Sequence, residues 1–357
     1  MTPHTLPAPA VLDAEPQRIA IFRALFLGDL LMSVPAFRAL RCRFPQAEIT
    51  LIGLPWARGF VPHISHYIDR FVEFPGYPGI PEVEVVPERT ERWLAEQQAY
   101  GYDLALQMHG NGSITNEVVS RLGSRVTAGF ARQGDERLTY SLPASDTGHE
   151  ILQWLTLTDL LGAPRQGTHL DLTVTPEQKR EADALLAQTP GSWGPLIGMH
   201  VGSKAANRRW PPEKFAALGD ALAERHGARL VLTGSEGERE LTERVARIMR
   251  YPVLDLAGQT GIGELAAVLA RLDLLVTNDT GASHMAAATR TRSVVLFGPE
   301  PPERFAPLDR ELHRPIDSSK LLGGDRETAL HRLPVETVLS MCDEVLSRLL
   351  AASGMEV

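Results

Sequence analysis

Cysteine is nearly absent from this 357-residue chain, which holds only two. Cys42 and Cys342 lie far apart, on stretches that read as helices, so neither a disulfide framework nor a thiolate metal site is expected. Long apolar runs are missing too. No window reaches the roughly 20 residues a membrane-spanning helix needs, and no basic flank followed by a hydrophobic stretch opens the chain, so export is not expected. Positive charge is not in excess. The formal net charge of −8 argues against nucleic acid as the main partner, although a local basic patch can still meet an anion. Short-period repeats and low-complexity tracts are also missing. What is present, 43% apolar and 22% charged residues, is the composition of a soluble globular protein long enough for two cores. A reducing cytoplasm fits the cysteine count.

Two series of strand-then-helix patterns run along the chain. In the first half the expected strands are 18–23, 48–53, 70–74, 103–107 and 126–129. A helix is expected over 30–44, where Leu30, Leu31, Val34, Phe37 and Leu40 share a face. The alternation implies a parallel sheet with crossover helices. Between Pro75 and Pro87 the prolines and glycines predict an exposed loop. The second half repeats the scheme with strands at 196–201, 228–232, 253–256, 273–277 and 293–297, and a helix over 212–226 stopped by Gly227. Residues 1–17, rich in proline, are expected to be a loose tail. The domains are then 18–170 and 171–330, with an interdomain link near 164–175 or 189–195. A C-terminal helix falls within 331–357. The sequence leaves open which domain it packs on, and packing back onto the first is one of the two arrangements. The whole reads as a pair of Rossmann-like α/β domains facing each other, with ligands at the strand ends.

The chemistry-bearing residues cluster at strand-to-helix junctions. The most informative is Val276-Thr277-Asn278-Asp279-Thr280-Gly281-Ala282-Ser283-His284. A short apolar strand runs into a helix here, Asp279 or Thr280 suits the cap, and Gly281 allows close backbone approach. Amides at such a helix start attract phosphate oxygens, and His284 follows about one turn later. A capped helix with a buried histidine fits these residues equally well. The first junction, Leu27-Gly28-Asp29-Leu30, places Asp29 at the mouth of the first sheet, where it suits either a general base or a helix N-cap. After strand 196–201, the run Gly202-Ser203-Lys204-Ala205-Ala206-Asn207-Arg208-Arg209-Trp210-Pro211 gathers three cations that can neutralise a diphosphate or form a solvated basic loop. Gly234-Ser235-Glu236 ends a strand with a carboxylate, which suits ribose hydroxyls or the dipole of the helix that follows.

These junctions together resemble glycosyltransferase family 9, the ADP-heptose:lipopolysaccharide heptosyltransferases. The resemblance is carried by Gly28-Asp29 with Val34-Pro35, Gly202-Ser203 with Arg208-Arg209-Trp210-Pro211, Gly234-Ser235-Glu236, Leu256-Ala257-Gly258, Asn278-Asp279-Thr280-Gly281 with His284, and Phe297-Gly298-Pro299. It implies a GT-B fold, with an acceptor-binding N-terminal domain and a nucleotide-sugar-binding C-terminal domain. Asp29 would be the catalytic base of an inverting, single-displacement transfer. Gly28, Ser203, Lys204, Arg208, Arg209, Glu236, Thr260, Asp279, Thr280, Gly281 and His284 would serve the ADP-sugar donor, with Glu236 on its ribose and the Thr260 backbone on adenine. His109 and Asn111, in Leu106-Gln107-Met108-His109-Gly110-Asn111, would face a lipid-linked or other saccharide acceptor. Such an acceptor implies peripheral contact with the inner face of the cytoplasmic membrane by a cytoplasmic enzyme. The chain has no Asp-x-Asp motif, so metal dependence is not expected, and the resemblance implies no other cofactor. One departure is Arg208, which stands where the family usually has lysine. It keeps the charge but not the geometry.

Other classes remain readable in the residues. Gly261-Ile262-Gly263-Glu264-Leu265-Ala266 has the spacing of a dinucleotide fingerprint and would suit an NAD-dependent oxidoreductase. It comes late among the C-terminal elements, however, and no acid clearly ends a next strand. A nucleotide-sugar epimerase of GT-B shape would need further acid/base residues in the cleft and no acceptor. A catalytically silent sugar-nucleotide-binding protein would need neither.

Overall fold

The computed structural model describes residues 12, 14–145, 147–191 and 193–353, with backbone alone for 350–353. Most of the expected N-terminal tail, residues 1–11 and 13, lies outside the described residues. Its last residues depart from the expectation of a loose tail. Glu15 pairs with Arg43 at 2.7 Å and the Gln17 amide donates to Asp103 Oδ2 at 2.7 Å.

The chain divides into two compact units, Met1–Thr168 and His169–Val357. The first is built on a sheet of six parallel strands: β1 (Arg18–Phe22), β2 (Glu48–Gly53), β3 (Arg70–Glu73), β4 (Leu104–Gln107), β5 (Val126–Ala131) and β6 (Tyr140–Pro143), in the order β3-β2-β1-β4-β5-β6. β1 is buried from Ile19 onward, as the apolar run Ile-Ala-Ile-Phe requires. Helix Val34–Arg43 turns Val34, Ala36, Phe37, Ala39 and Leu40 inward, with Pro35 in its first turn, where the missing amide proton costs nothing. The chain leaves β1 for β2 and β3 and returns to β4 on the other side of β1. The direction of winding therefore reverses between β1 and β4, and the loops after these two strands open at that point.

The second unit repeats this plan with β7 (Leu196–His200), β8 (Arg229–Thr233), β9 (Leu254–Asp255), β10 (Leu274–Asn278), β11 (Ser293–Phe297) and β12 (His313–Asp317), all parallel, in the order β12-β11-β10-β7-β8-β9. Its reversal point lies between β7 and β10. Helix Pro212–His226 ends at Gly227, which adopts a φ of 62°. Trp210, Phe215, Leu218 and Leu222 join strand residues Ile197, Leu230, Val276 and Leu296 in the core.

The structure adds to or departs from the sequence reading at three points. The C-terminal helix, Val335–Ser353, packs within the second unit against helix Pro212–His226 and places Val338, Leu339, Cys342, Val345 and Leu346 in that core. The sequence had left the choice of domain open, and within the second unit the helix spends its apolar stripe on this core. The segment from Pro75 is not a wholly exposed loop. Tyr77 and Ile80 are buried in the first core, and the Thr90 hydroxyl donates to Gly76 O at 2.9 Å. Finally, β6 and β12 are edge strands that sequence reasoning did not find. Both are short, each contains a proline, and neither is a continuous buried run, which is the pattern an edge tolerates and a central strand does not.

Candidate functional site

In the first unit, the loops after β1 and β4 meet at the reversal point. Asp29 sits in the first turn of the short helix Leu27–Leu31, one residue beyond Gly28. Phe26 occupies the cap position and no side chain caps the helix, so the alternative of Asp29 as an N-cap does not hold. Its carboxylate is about one-third exposed, at 32%, and lies 3.9 Å from the Arg23 guanidinium. The Asp29 carbonyl is held more tightly, accepting from Arg23 Nη2 at 2.9 Å, Arg23 Nε at 3.3 Å and Ser33 Oγ at 3.0 Å.

His109, in the loop after β4, is buried and stacks on Phe22 with ring centroids 5.4 Å apart. Its Nδ1 accepts the Ala24 amide at 3.3 Å. Burial, helped by the positive charge of Arg23, pulls its pKa down to about 3, so it is neutral and joins the two loops. Asn111 folds back on its own turn, with Oδ1 accepting from the Ser113 amide at 3.1 Å and the Ser113 hydroxyl at 2.6 Å.

In the second unit, the carboxyl ends of β7 and β10 bring two distant motifs together. Arg208 Nη2 donates to Asp279 Oδ2 at 2.6 Å across 71 positions of sequence, and its guanidinium also lies 3.8 Å from Glu300. Asp279 is buried, with a side chain only 6% exposed. Asn278, which sequence reasoning quoted without a role, staples the same place. Its amide donates to Val201 O at 2.9 Å and Gly202 O at 3.2 Å, and its Oδ1 accepts from the Trp210 amide at 3.0 Å. Thr280 is the cap residue of helix Gly281–Ala288, and its side chain makes no cap hydrogen bond. The Ser283 amide donates to Thr280 O at 3.1 Å. His284 is buried one turn into this helix.

Ser203 is buried, and its carbonyl accepts Arg209 Nε at 2.7 Å, while Lys204 is exposed. Beneath this loop His200 bonds Thr233 Oγ1 at 3.0 Å and approaches Glu238 at 4.0 Å. Burial pulls the His200 imidazole below its usual range, against the opposing pull of the Glu238 charge. Burial pushes the Glu238 carboxyl up, but His200, the Ser235 amide and hydroxyl, and Arg209 outweigh it and hold the group below the usual carboxylate range. Gly202 leaves room for the Glu238 carboxylate, since a Cβ there would stand 1.8 Å from Glu238 Oε1 and displace it. The Glu236 side chain is largely exposed, paired with Arg239 at 2.8 Å, and lies over Gly258, which adopts a φ of 72°. Thr260 is half-buried just ahead of helix Ile262–Leu269. The Gly261-x-Gly263 spacing has a packing explanation, since a Cβ at Gly263 would meet Gln178 of helix Pro176–Leu186 at 2.0 Å.

Sequence reasoning missed Arg23, Glu150, Glu238 and Glu300. An arginine ending an otherwise apolar strand was the available signal for Arg23. The Ser235-x-x-Glu238 spacing of a capping box was the local signal for Glu238, and nothing local marks Glu150 or Glu300.

Two parallel α/β sheets, each with its motifs at a reversal point, define the GT-B type of fold. The chain matches a glycosyltransferase from Veillonella parvula described as family 9 with a TM-score of 0.79 at 21% identity, covering 93% of this chain and 98% of that one. It matches the Escherichia coli ADP-heptose LPS heptosyltransferase II with a TM-score of 0.73 at 22% identity, covering 93% and 99%. The sequence profile of glycosyltransferase family 9 (heptosyltransferase) matches residues 92–315, and the chain belongs to that family. Among curated relatives, the lipooligosaccharide heptosyltransferase 2 of Haemophilus influenzae is 25% identical over 93% of this chain and 99% of its own length. The lipopolysaccharide heptosyltransferase 2 of Escherichia coli K12 is 23% identical over 93% and 98%.

Proposed function

We propose that this protein is an inverting heptosyltransferase of lipopolysaccharide core synthesis, taking its sugar from an ADP-heptose donor. The observation that carries the reading is the Arg208–Asp279 pair beside the start of helix Gly281–Ala288, whose cap residue Thr280 leaves its own side chain unspent on the helix. A guanidinium held in place and a set of helix amides form a seat for a diphosphate. The relatives named above support the sugar, and the Escherichia coli heptosyltransferase WaaC, solved with ADP and with ADP-2-deoxy-2-fluoro heptose, supports the nucleotide.

The division of labour follows from charge. Asp279 is an anion and would repel a phosphate, so it orients Arg208 and accepts a hydroxyl of the donor sugar. Arg208, Lys204 and the amides at Thr280 and Gly281 meet the diphosphate, with Ser203 and Arg209 shaping their loop and His284 behind them. Glu236 accepts ribose hydroxyls, the Thr260 backbone meets adenine, and Gly28 lets the donor sugar approach the base. Asp29 takes the proton of the acceptor hydroxyl as that oxygen forms its bond to the anomeric carbon. The bond from the anomeric carbon to the β-phosphate oxygen breaks, and ADP leaves from the opposite face with its new charge stabilised by Arg208, Lys204 and the helix start. One displacement inverts the anomeric centre. Because these groups supply the charge stabilisation, transfer should persist in the presence of EDTA.

His109 and Asn111 border the acceptor side. No helix among the described residues is long and apolar enough to cross a membrane. A lipid-linked inner-core acceptor would therefore be met by peripheral contact at the inner face of the cytoplasmic membrane.

Calorimetric titration with ADP, UDP, GDP and NAD, on the wild type and Asp279→Ala, tests the donor without the acceptor. ADP binding weakened by the substitution supports the reading. Preference for UDP or GDP overturns the donor, and binding of NAD alone overturns the transferase chemistry.

A further inference from the structure

We infer that Arg23 and Glu150 form a buried positioning pair for Asp29, in which Arg23 grips the Asp29 backbone and Glu150 keeps the guanidinium from capturing the Asp29 carboxylate. The inference rests on the reading of Asp29 as the base.

Arg23 follows directly on the buried strand β1 and is only 1% exposed. A cation so deeply buried is costly unless its hydrogen bonds and its charge are both met. Here they are. Nη1 donates to Met108 O at 2.6 Å, Nη2 and Nε both donate to Asp29 O, Nη2 also reaches Glu150 Oε1 at 3.4 Å, and the guanidinium lies 4.5 Å from the Trp154 ring centroid. One side chain thus ties the loop after β4, helix Leu27–Leu31 and helix Glu150–Leu160 together. Glu150 comes from 127 positions away, as the first residue of a helix capped by His149.

The Asp29 carboxylate stands 3.9 Å from Nη2. That is beyond hydrogen-bond range, so its oxygens stay available to accept a proton while the carbonyl of the same residue is anchored. The arrangement depends on the charge of Glu150. With a neutral side chain at 150, Asp29 becomes the nearest anion to a buried guanidinium, and a short charge-assisted pair would occupy the oxygen the reaction needs. Lysine at position 23 would keep the charge but lacks the fork that reaches two carbonyls and a carboxylate together.

The test compares Glu150→Gln, Arg23→Lys and Asp29→Asn, with ADP-heptose as donor and deacylated heptose-deficient lipopolysaccharide as acceptor. Readouts are kcat, donor KM, ADP affinity by calorimetry and Tm. Glu150→Gln, and Arg23→Lys where it folds, should lower kcat by about 10- to 100-fold, the size of effect expected from a misplaced catalytic group, with ADP affinity and donor KM within about twofold of wild type. If Glu150→Gln folds and its kcat stays within about threefold of wild type while Asp29→Asn is inactive, the positioning role is wrong and the base stands. If Asp29→Asn itself transfers normally, the base assignment falls and this inference with it. A parallel loss of kcat, ADP affinity and Tm would mark a merely structural pair and also overturn the inference.

Discussion

Replacing Arg208 by alanine is expected to damage donor binding far more than folding, and the structure sets both sizes. Arg208 gives Asp279 a single charge-assisted hydrogen bond of 2.6 Å. Its side chain is 30% exposed against 6% for Asp279, so the pair sits between a surface and a buried ion pair. Its loss should cost about 1 to 2 kcal/mol of stability, below the 3 to 5 kcal/mol of a fully buried pair. A diphosphate loses more. It forfeits a contact of about 1.5 to 3 kcal/mol and then meets an Asp279 carboxylate with no counter-charge from Arg208. At about 1.4 kcal/mol per tenfold, the lost contact alone raises the Kd for ADP by roughly 10- to 150-fold, and the repulsion adds to that. Calorimetry at two salt concentrations should show the difference between variant and wild type shrinking as salt rises. The companion variant Arg208→Ala/Asp279→Asn removes the repulsion and should bind ADP more tightly than Arg208→Ala alone. A single variant whose Kd stays within about threefold, or a double variant that binds no better than the single, would refute the seat described here.

Three further outcomes are expected. Gly202→Ala pushes a Cβ into Glu238 and forces it off the Ser235 amide and hydroxyl, each now at 2.8 Å. Denaturant unfolding should show a loss of about 1 to 3 kcal/mol, and an unchanged midpoint would contradict the close approach. Trp210→Ala empties a site filled by a 1% exposed indole packed edge-to-face against Phe215 and should cost about 3 to 5 kcal/mol. Trp210→Phe should cost only about 1 kcal/mol, because Lys214 still donates to Leu333 O at 2.9 Å when the indole N–H is gone. Acid should destabilise the protein through His109, which stays neutral in the fold down to about 3 and takes a proton near 6.5 when unfolded. The unfolded chain therefore binds the extra proton between these values, so stability that is whole above about 6.5 is lost as pH falls toward 3. His313, held down to about 4 by burial, adds to the same slope. His109→Asn keeps an acceptor for the Ala24 amide and removes the titration. Its Tm should fall less steeply than that of wild type between about pH 7 and 4.5, and an equal slope would show that His109 is not responsible.

How much of this was legible in the residues depends on the range of the interactions. The central strands were read correctly because each is a short apolar run whose neighbours bury both faces, and that pattern is written in consecutive positions. β6 and β12 were not, because an edge strand is defined by the neighbour it has, and Tyr140–Pro143 carries no continuous apolar signal. The junction motifs were legible for a related reason. A strand end, a glycine and a helix start must be contiguous, so Gly202-Ser203, Gly234-Ser235 and Asp279-Thr280-Gly281 show themselves in one dimension. Thr280 does take the cap position, but its hydroxyl makes no cap bond, since whether a hydroxyl turns toward its own helix is set by what else it meets.

The sequence by itself determined the α/β alternation, the two similar halves, the turn chemistry and the family resemblance, because propensity, periodicity and motif spacing are local properties of the chain. The tertiary structure alone decided which distant charges meet. Arg208 reaches Asp279 across 71 positions, Arg23 reaches Glu150 across 127, and the C-terminal helix closes the second core. The energy of a buried ion depends on the partner brought within a few ångströms of it and on the water excluded around both, and neither exists until the sheets are assembled.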